Sequence, residues 1–130
     1  MIGKETMSKS KIMVIDDDMQ SLELMEAILI PKGHEVIITN DPLQAVALII
    51  VNKPDLILLD VMMPMLDGYS LLSEIKKSNT ISKIPVVILT ALGFELNKEL
   101  AHNLGAAGYI TKPVDSAELI QIVSHLLPVI

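Results

Sequence analysis

Short apolar runs and helix-length segments take turns along this chain. Ile12-Met13-Val14-Ile15 is an unbroken apolar run, followed at once by Asp16, Asp17 and Asp18. A run that short, without alternation, reads as a strand buried on both faces. Asp18 is placed to cap a helix from Met19 to about Ile30, which Pro31, Lys32 and Gly33 end. Glu35 to Thr39 is strand-like. Asp41-Pro42 opens a second helix, with the cap before proline at the first helical position, and that helix runs to about Val51. Leu56-Ile57-Leu58-Leu59 repeats the buried-strand pattern. Pro64 to Gly68 reads as a loop, and a helix follows to about Ser78. Pro85 introduces the strand Val86-Val87-Ile88-Leu89. A weaker helix covers Glu95 to Leu104 and stops at Gly105. Ala107 to Ile110 is a last short strand, and Asp115 caps a last helix from Ser116 to about Leu127.

Strict alternation of strands and helices requires crossover connections. The expected fold class is therefore α/β, a parallel sheet with helices on both faces. A chain of 130 residues is one domain's length, and 51% hydrophobic residues supply a core. No repeat, low-complexity stretch or interdomain linker interrupts it. Met1 to Ser10 is polar and reads as a flexible tail, residues 11–127 as the folded domain, and 128–130 as a C-terminal tail. The apolar ending Leu126-Leu127-Pro128-Val129-Ile130 hints at a cut before a further domain.

Charge and composition narrow the function. The net charge is −6 and there is no arginine, the residue favoured for bidentate phosphate and base-edge contacts, so direct nucleic-acid binding is not expected. Without cysteine there is no disulfide framework, thiolate metal site or cysteine nucleophile, and a reducing compartment is permitted. No stretch reaches the ~18 apolar residues of a membrane span, and the start lacks the apolar segment of a secretory signal. A cytoplasmic location is expected.

In open α/β sheets, ligands bind beyond the carboxyl ends of the strands. After the first apolar run come Asp16, Asp17 and Asp18; after the third, Asp60; after the fourth, Thr90; after the fifth, Thr111 and Lys112. Only the second strand, ending Thr39-Asn40, carries nothing of note. Like charges about 4 Å apart repel by ~4 kcal/mol at an effective dielectric of about 20, so crowded aspartates take up a proton or recruit a cation. Oxygen-only ligands favour a hard cation, and Mg²⁺ suits a few carboxylates plus phosphate oxygens and water. Aspartate is ionised at neutral pH, so phosphorylating one requires positive charge nearby to screen the incoming anion. Lys112 and a Mg²⁺ would supply it, the Thr90 hydroxyl could bond a phosphoryl oxygen, and backbone N–H groups after Asp60 could take another.

The segments IMVIDDD, DLILLDVMMPMLDGYSLL, VVILTA and GAAGYITKP, in this order and spacing, resemble the response-regulator receiver domains (CheY-like) of two-component signalling. The likeness runs from about Lys11 to Leu127. It implies a doubly wound (βα)5 sandwich, flavodoxin-like, with strand order 2-1-3-4-5. It also implies roles by position. Asp60 would be the phosphoacceptor, and Asp16 and Asp17 the acidic pair for Mg²⁺, Asp17 directly and Asp16 partly through water. The backbone carbonyl of Met62 would be a further metal ligand. Thr90 and Lys112 would contact the phosphoryl group, Tyr109 would be the aromatic switch that follows Thr90, and Lys112-Pro113 would be a cis peptide. The phosphodonor would be a sensor histidine kinase or phosphotransfer protein. The domain would promote its own phosphorylation without being a turnover enzyme. The output would leave through the face of the fourth helix, fifth strand and fifth helix, with Asn97, Glu99, His102, Glu118, Gln121 and His125 on it.

Plainer readings stand beside these. Asp18 reads as a helix cap only, Asp67-Gly68 as turn chemistry, and Tyr109 could be a static core ring. His34, His102 and His125 are scattered, lack metal-ligand spacing and read as surface residues. Met62, Met63 and Met65 read as gap-fillers. Met62 and Leu92 occupy positions that influence phosphoryl lifetime in the family, and neither side chain can orient water strongly, so slow self-dephosphorylation is expected. The second helix, Leu43 to Val51, is apolar nearly all round, which suggests a surface for self-association or a partner. Two other functions compete. One is a haloacid-dehalogenase-like phosphatase using Asp16-x-Asp18, although Gln20 stands where threonine is needed. The other is a receiver that docks partners without being phosphorylated.

Overall fold

The computed structural model describes residues 9–62, 67–91 and 98–127. Strand β1 (Lys11–Ile15) leads to helix α1 (Met19–Leu29), and β2 (Glu35–Thr39) to α2 (Ala45–Asn52). Next come β3 (Leu56–Asp60), α3 (Gly68–Lys77), β4 (Val86–Ala91), α4 (Lys98–Asn103), β5 (Gly108–Lys112) and α5 (Ser116–Leu126). All neighbouring strands pair in parallel, in the order β2-β1-β3-β4-β5. This is the five-stranded doubly wound architecture expected, with the chain reversing direction across the sheet at β1 and β3.

Burial follows position in the sheet. The central strands β3 and β1 are buried throughout, apart from Lys11 at the start of β1, while the edge strands β2 and β5 are half-exposed. Side chains alternate between two cores, because successive residues of a strand face opposite ways. Met13, Ile15, Ile57, Leu59, Val86 and Ile88 pack with residues of α2, α3 and α4. Ile12, Val14, Leu56, Leu58, Val87 and Leu89 pack with α1 and α5. Each apolar run therefore feeds both layers, which is why it shows no alternation.

The caps are where the sequence placed them. Asp18 accepts the Gln20 N–H, Asp41 the Leu43 N–H and Asp115 the Glu118 N–H. Two details differ from expectation. The second helix begins as a 3-10 turn, Pro42–Gln44, before α2 proper. The ladders of β3, β4 and β5 continue past their apolar runs, so Asp60, Thr90, Thr111 and Lys112 are still strand residues. Hydrophobicity marks burial, whereas hydrogen-bond pairing persists one or two residues further toward the rim.

On α2, Ala45 and Ile49 are buried, while Leu43 before it is 74% exposed and Val51 is 77% exposed. Only one side of this apolar helix is covered. His34 is half-buried rather than a surface residue, and that burial holds its imidazole below the usual pKa. His102 and His125 are exposed as expected. The first eight residues, the segment 63–66 with Met63 and Met65, the segment 92–97 with Leu92 and Asn97, and residues 128–130 lie outside the described part.

Candidate phosphoacceptor and metal site

Strand register assembles the site. Ile15 pairs with Leu59, so Asp16, just past β1, and Asp60, the last residue of β3, are each one residue on and lie side by side. Asp60 pairs with Leu89, which sets Thr90 one step beyond it. Thr90 pairs with Thr111 and Ala91 with Lys112, so the lysine emerges one step further up the same rim. Residues as far as 96 positions apart in sequence, Asp16 and Lys112, thus arrive at one edge.

The side chains then converge. The Lys112 ammonium donates to Asp16 Oδ2 at 2.5 Å and to Asp60 Oδ2 at 3.3 Å. Carboxylate oxygens of Asp16, Asp17 and Asp60 lie within 4.8 Å of one another. Asp16 is fully buried and Asp60 nearly so, while Asp17 is exposed. The remaining Asp16 oxygen accepts the Asp18 N–H at 2.9 Å. The remaining Asp60 oxygen accepts the Met62 N–H at 2.8 Å, which folds the chain back over the acid. This N–H was expected to face a phosphoryl oxygen; here it is engaged with the carboxylate itself, and the Val61 N–H is engaged with the Leu89 carbonyl.

The electrostatics follow from burial. Desolvation raises the Asp16 carboxyl from its ordinary pKa of 3.8 to about 6, against the opposing pull of the Lys112 and Asp18 hydrogen bonds, and the Asp60 charge adds to the rise. Burial pulls the Lys112 ammonium down, but Asp16 and Asp60 together outweigh it and hold the amine above its usual pKa. Three ionised carboxylates and one ammonium leave a formal charge of −2 in this pocket. A hard divalent cation matches that charge and the all-oxygen donor set.

Thr90 supplies a second sign that the pocket is built for more than itself. Its hydroxyl is buried and has no hydrogen-bond partner among the described residues. A buried unsatisfied polar group costs about 1–3 kcal/mol, so its presence at the rim beside Asp60 calls for a polar guest.

Other expected residues separate from the centre. Asp18 is spent on capping α1, with Gln20 N–H and Ser21 Oγ on its two oxygens. That removes the second acid a dehalogenase-like reaction would need. Tyr109, across from Ile88 in the sheet, is 42% exposed and so is not a core ring. Lys112-Pro113 is a cis peptide. On the expected output face, Glu99, His102, Glu118, Gln121 and His125 are all exposed. A cavity of about 210 Å³ opens between α4 and β5, lined by Ala101, His102, Ala106, Ala107, Gly108 and Tyr109.

Gly68, which the sequence assigns to turn chemistry, has a further constraint in the structure. It is buried at the start of α3, against the backbone of Asp60 and Val61. The available signal is a glycine immediately after the helix cap Asp67, as the first residue of α3.

Comparison with known proteins agrees with this geometry. The sequence pattern of the family described as "Response regulator receiver domain" matches residues 12–124. The chain is 37% identical over 118 residues to the transcriptional regulatory protein CpxR of Klebsiella pneumoniae, a match covering 91% of this chain and 49% of that protein. It spans about half the length of the curated relatives it matches. Among solved structures, the receiver domain of the Francisella response regulator 1452 is 36% identical with a TM-score of 0.81, over 91% of this chain and 96% of that one. The receiver domain of sensor histidine kinase PA1611 from Pseudomonas aeruginosa is 30% identical with a TM-score of 0.81, over 92% of this chain and 98% of that one, and was solved with a magnesium ion in its active-site cleft. With a family pattern matched over nearly its whole folded length, the chain belongs to the response regulator receiver domain family.

Proposed function

We propose that this chain, through a receiver unit spanning residues 11–127, accepts a phosphoryl group on Asp60 and relays it as a change of surface. The observation that carries the reading is the Lys112 ammonium shared between Asp16 and Asp60. An ammonium in that place screens the approach of an anionic donor to an acid that would otherwise repel it.

Asp16, Asp17, Asp60 and the Met62 carbonyl would hold a Mg²⁺, and the carboxylate cluster and its surplus negative charge fit one. When bound, the ion draws charge from the transferring oxygens and so lowers the cost of bringing two anions together. In the step itself, one Asp60 oxygen attacks phosphorus of a phosphohistidine on a sensor kinase or phosphotransfer protein. The O–P bond forms as the N–P bond breaks, and the imidazole leaves. Lys112 stays beside the Asp60 carboxylate, and the partnerless Thr90 hydroxyl turns to a phosphoryl oxygen. The group remains on the chain, so the domain promotes one transfer and is its substrate, not a turnover enzyme.

The phosphoryl group adds about −1.5 to −2 charges at one rim position. Movement of Thr90 leaves space that the exposed Tyr109 can follow, and the α4–β5–α5 face is biased between two arrangements. That face would meet an output domain or another protein; the absence of arginine argues against nucleic acid as the direct target. None of the described helices is long and apolar enough to cross a membrane. The proposed donor places the chain in the cytoplasm.

Intact-mass measurement after incubation with acetyl phosphate and Mg²⁺ tests the reading. One added phosphoryl group is expected, absent from Asp60→Asn. An unchanged mass, or a group that survives that substitution, would overturn it.

A further inference from the structure

Helix α3 begins where there is no room for a side chain. A Cβ on Gly68 would lie 2.3 Å from Val61 Cα, 2.9 Å from Val61 Cβ and 3.0 Å from the Asp60 carbonyl oxygen. The first two are closer than real Cβ atoms approach anything, and the closest neighbour is backbone, which cannot swing aside like a side-chain tip. The φ of Gly68 is not positive, so the position asks for a missing Cβ rather than for a left-handed backbone.

The contact matters because of what Asp60 and Val61 carry. The Val61 N–H is tied to the Leu89 carbonyl of β4 at 3.1 Å, which fixes this backbone from one side. The start of α3, capped by Asp67, bears on it from the other. Between these supports the chain turns so that the Met62 N–H reaches Asp60 Oδ1 at 2.8 Å, leaving Oδ2 for Lys112. A side chain at 68 must lift α3 or push Val61. Either movement alters the turn that aims the Asp60 carboxylate and the Met62 carbonyl.

We propose that Gly68 is a positioning residue for phosphoryl acceptance: its missing side chain lets α3 rest on the Asp60–Val61 backbone and so holds the acceptor in line with Lys112 and the acidic cluster. The proposal rests on the assignment of Asp60 as acceptor. Misplacing a reacting group by about 1 Å can cost ~100-fold in rate. Gly68→Ala is therefore expected to accept phosphoryl from acetyl phosphate at least tenfold more slowly than the natural chain, and to show a smaller rise in Tm with Mg²⁺. The reference variant is Leu72→Ala, which opens a cavity in the core under the same helix, where Leu72 is fully buried. It should lose stability yet keep its rate at a temperature where it is folded.

The outcomes separate cleanly. If the natural chain takes up no phosphoryl group, the acceptor assignment has failed. If it does and Gly68→Ala matches its rate, or if Leu72→Ala slows as much as Gly68→Ala, the positioning role is wrong. Adding Val61→Gly to Gly68→Ala removes Val61 Cβ and its 2.9 Å contact but not the 2.3 Å contact with Val61 Cα. The double variant should stay slow, and recovery would overturn the backbone account. Should Gly68→Ala not fold in buffer, it is refolded with trimethylamine oxide and compared with the natural chain in the same osmolyte.

Discussion

Lys112 reaches across 96 positions of sequence to bond Asp16, at 2.5 Å, although β1 and β5 are not neighbours in the sheet. The bond spans the width of β3 and β4 at the rim and holds a fully buried carboxylate in its charged form. Removing one partner of a buried pair costs ~3–5 kcal/mol, and since the lysine side chain is 21% exposed, Lys112→Met should cost nearer to about 2 kcal/mol at pH 7.5. At pH 5 the loss should shrink, because the abandoned Asp16 takes up a proton. Urea titrations at both pH values check this, and equal losses would show that Asp16 is not the group left behind.

Asp16 makes the domain sensitive to pH in a defined direction. Its carboxyl is raised by burial from 3.8 unfolded to about 6 folded, so the folded chain binds a proton more tightly. Its contribution to stability is fully present below about pH 4 and is lost as pH rises through about 6. A Mg²⁺ bound among these acids would take the place of that proton. Its stabilising effect should grow from pH 5 to pH 8 and reach ~2.7 kcal/mol when the ion is at about a hundred times its dissociation constant. Thermal melts with and without Mg²⁺ measure this; Asp16→Asn should flatten both the pH slope and the metal response.

The Thr90 hydroxyl has no partner among the described residues, so no hydrogen bond of its own adds to stability there. Thr90→Val keeps the shape and removes the unsatisfied group. The unphosphorylated variant is expected to be as stable as the natural chain or more so by about 1 kcal/mol. Phosphorylation should then fail to change the Tyr109 environment, read by its NMR ring signals. A destabilised Thr90→Val would mean that the hydroxyl is bonded in the resting domain.

Met62 is 42% exposed at the mouth of the site and offers a water molecule nothing strong to bind. Met62→Asn supplies an amide there. A hydrogen bond of about 1 to 1.5 kcal/mol made only in the transition state gives roughly tenfold faster loss of the phosphoryl group. Decay followed by intact mass after removal of the donor gives the rate, and identical half-lives would discard the idea.

Much of this was legible in the chain because two simple signals agree. Fully apolar runs such as Leu56 to Leu59 mark the centre of a parallel sheet, and Asp18, Asp41 and Asp115 mark helix starts. The strand-end rule then points to Asp16, Asp17, Asp60, Thr90 and Lys112 without reference to any distance. What stayed hidden depends on contacts between elements. The pairing of Thr90 with Thr111 extends β4 beyond its greasy stretch, and nothing local announces it. His34 looks like a surface residue until the fold half-buries it. Gly68 looks like part of a turn because its constraint comes from Val61 in three dimensions, not from its neighbours in sequence.

A sheet whose strands all run the same way gives the molecule two unlike poles. Every strand delivers its last residue to the reactive pole, so every connection that enters a strand crowds the other. Asn79 and Thr80, at the exposed tip of the turn leading into β4, belong to that quiet pole. A fluorescent label or affinity handle grafted there would ride on the domain while leaving the phosphorylation chemistry undisturbed.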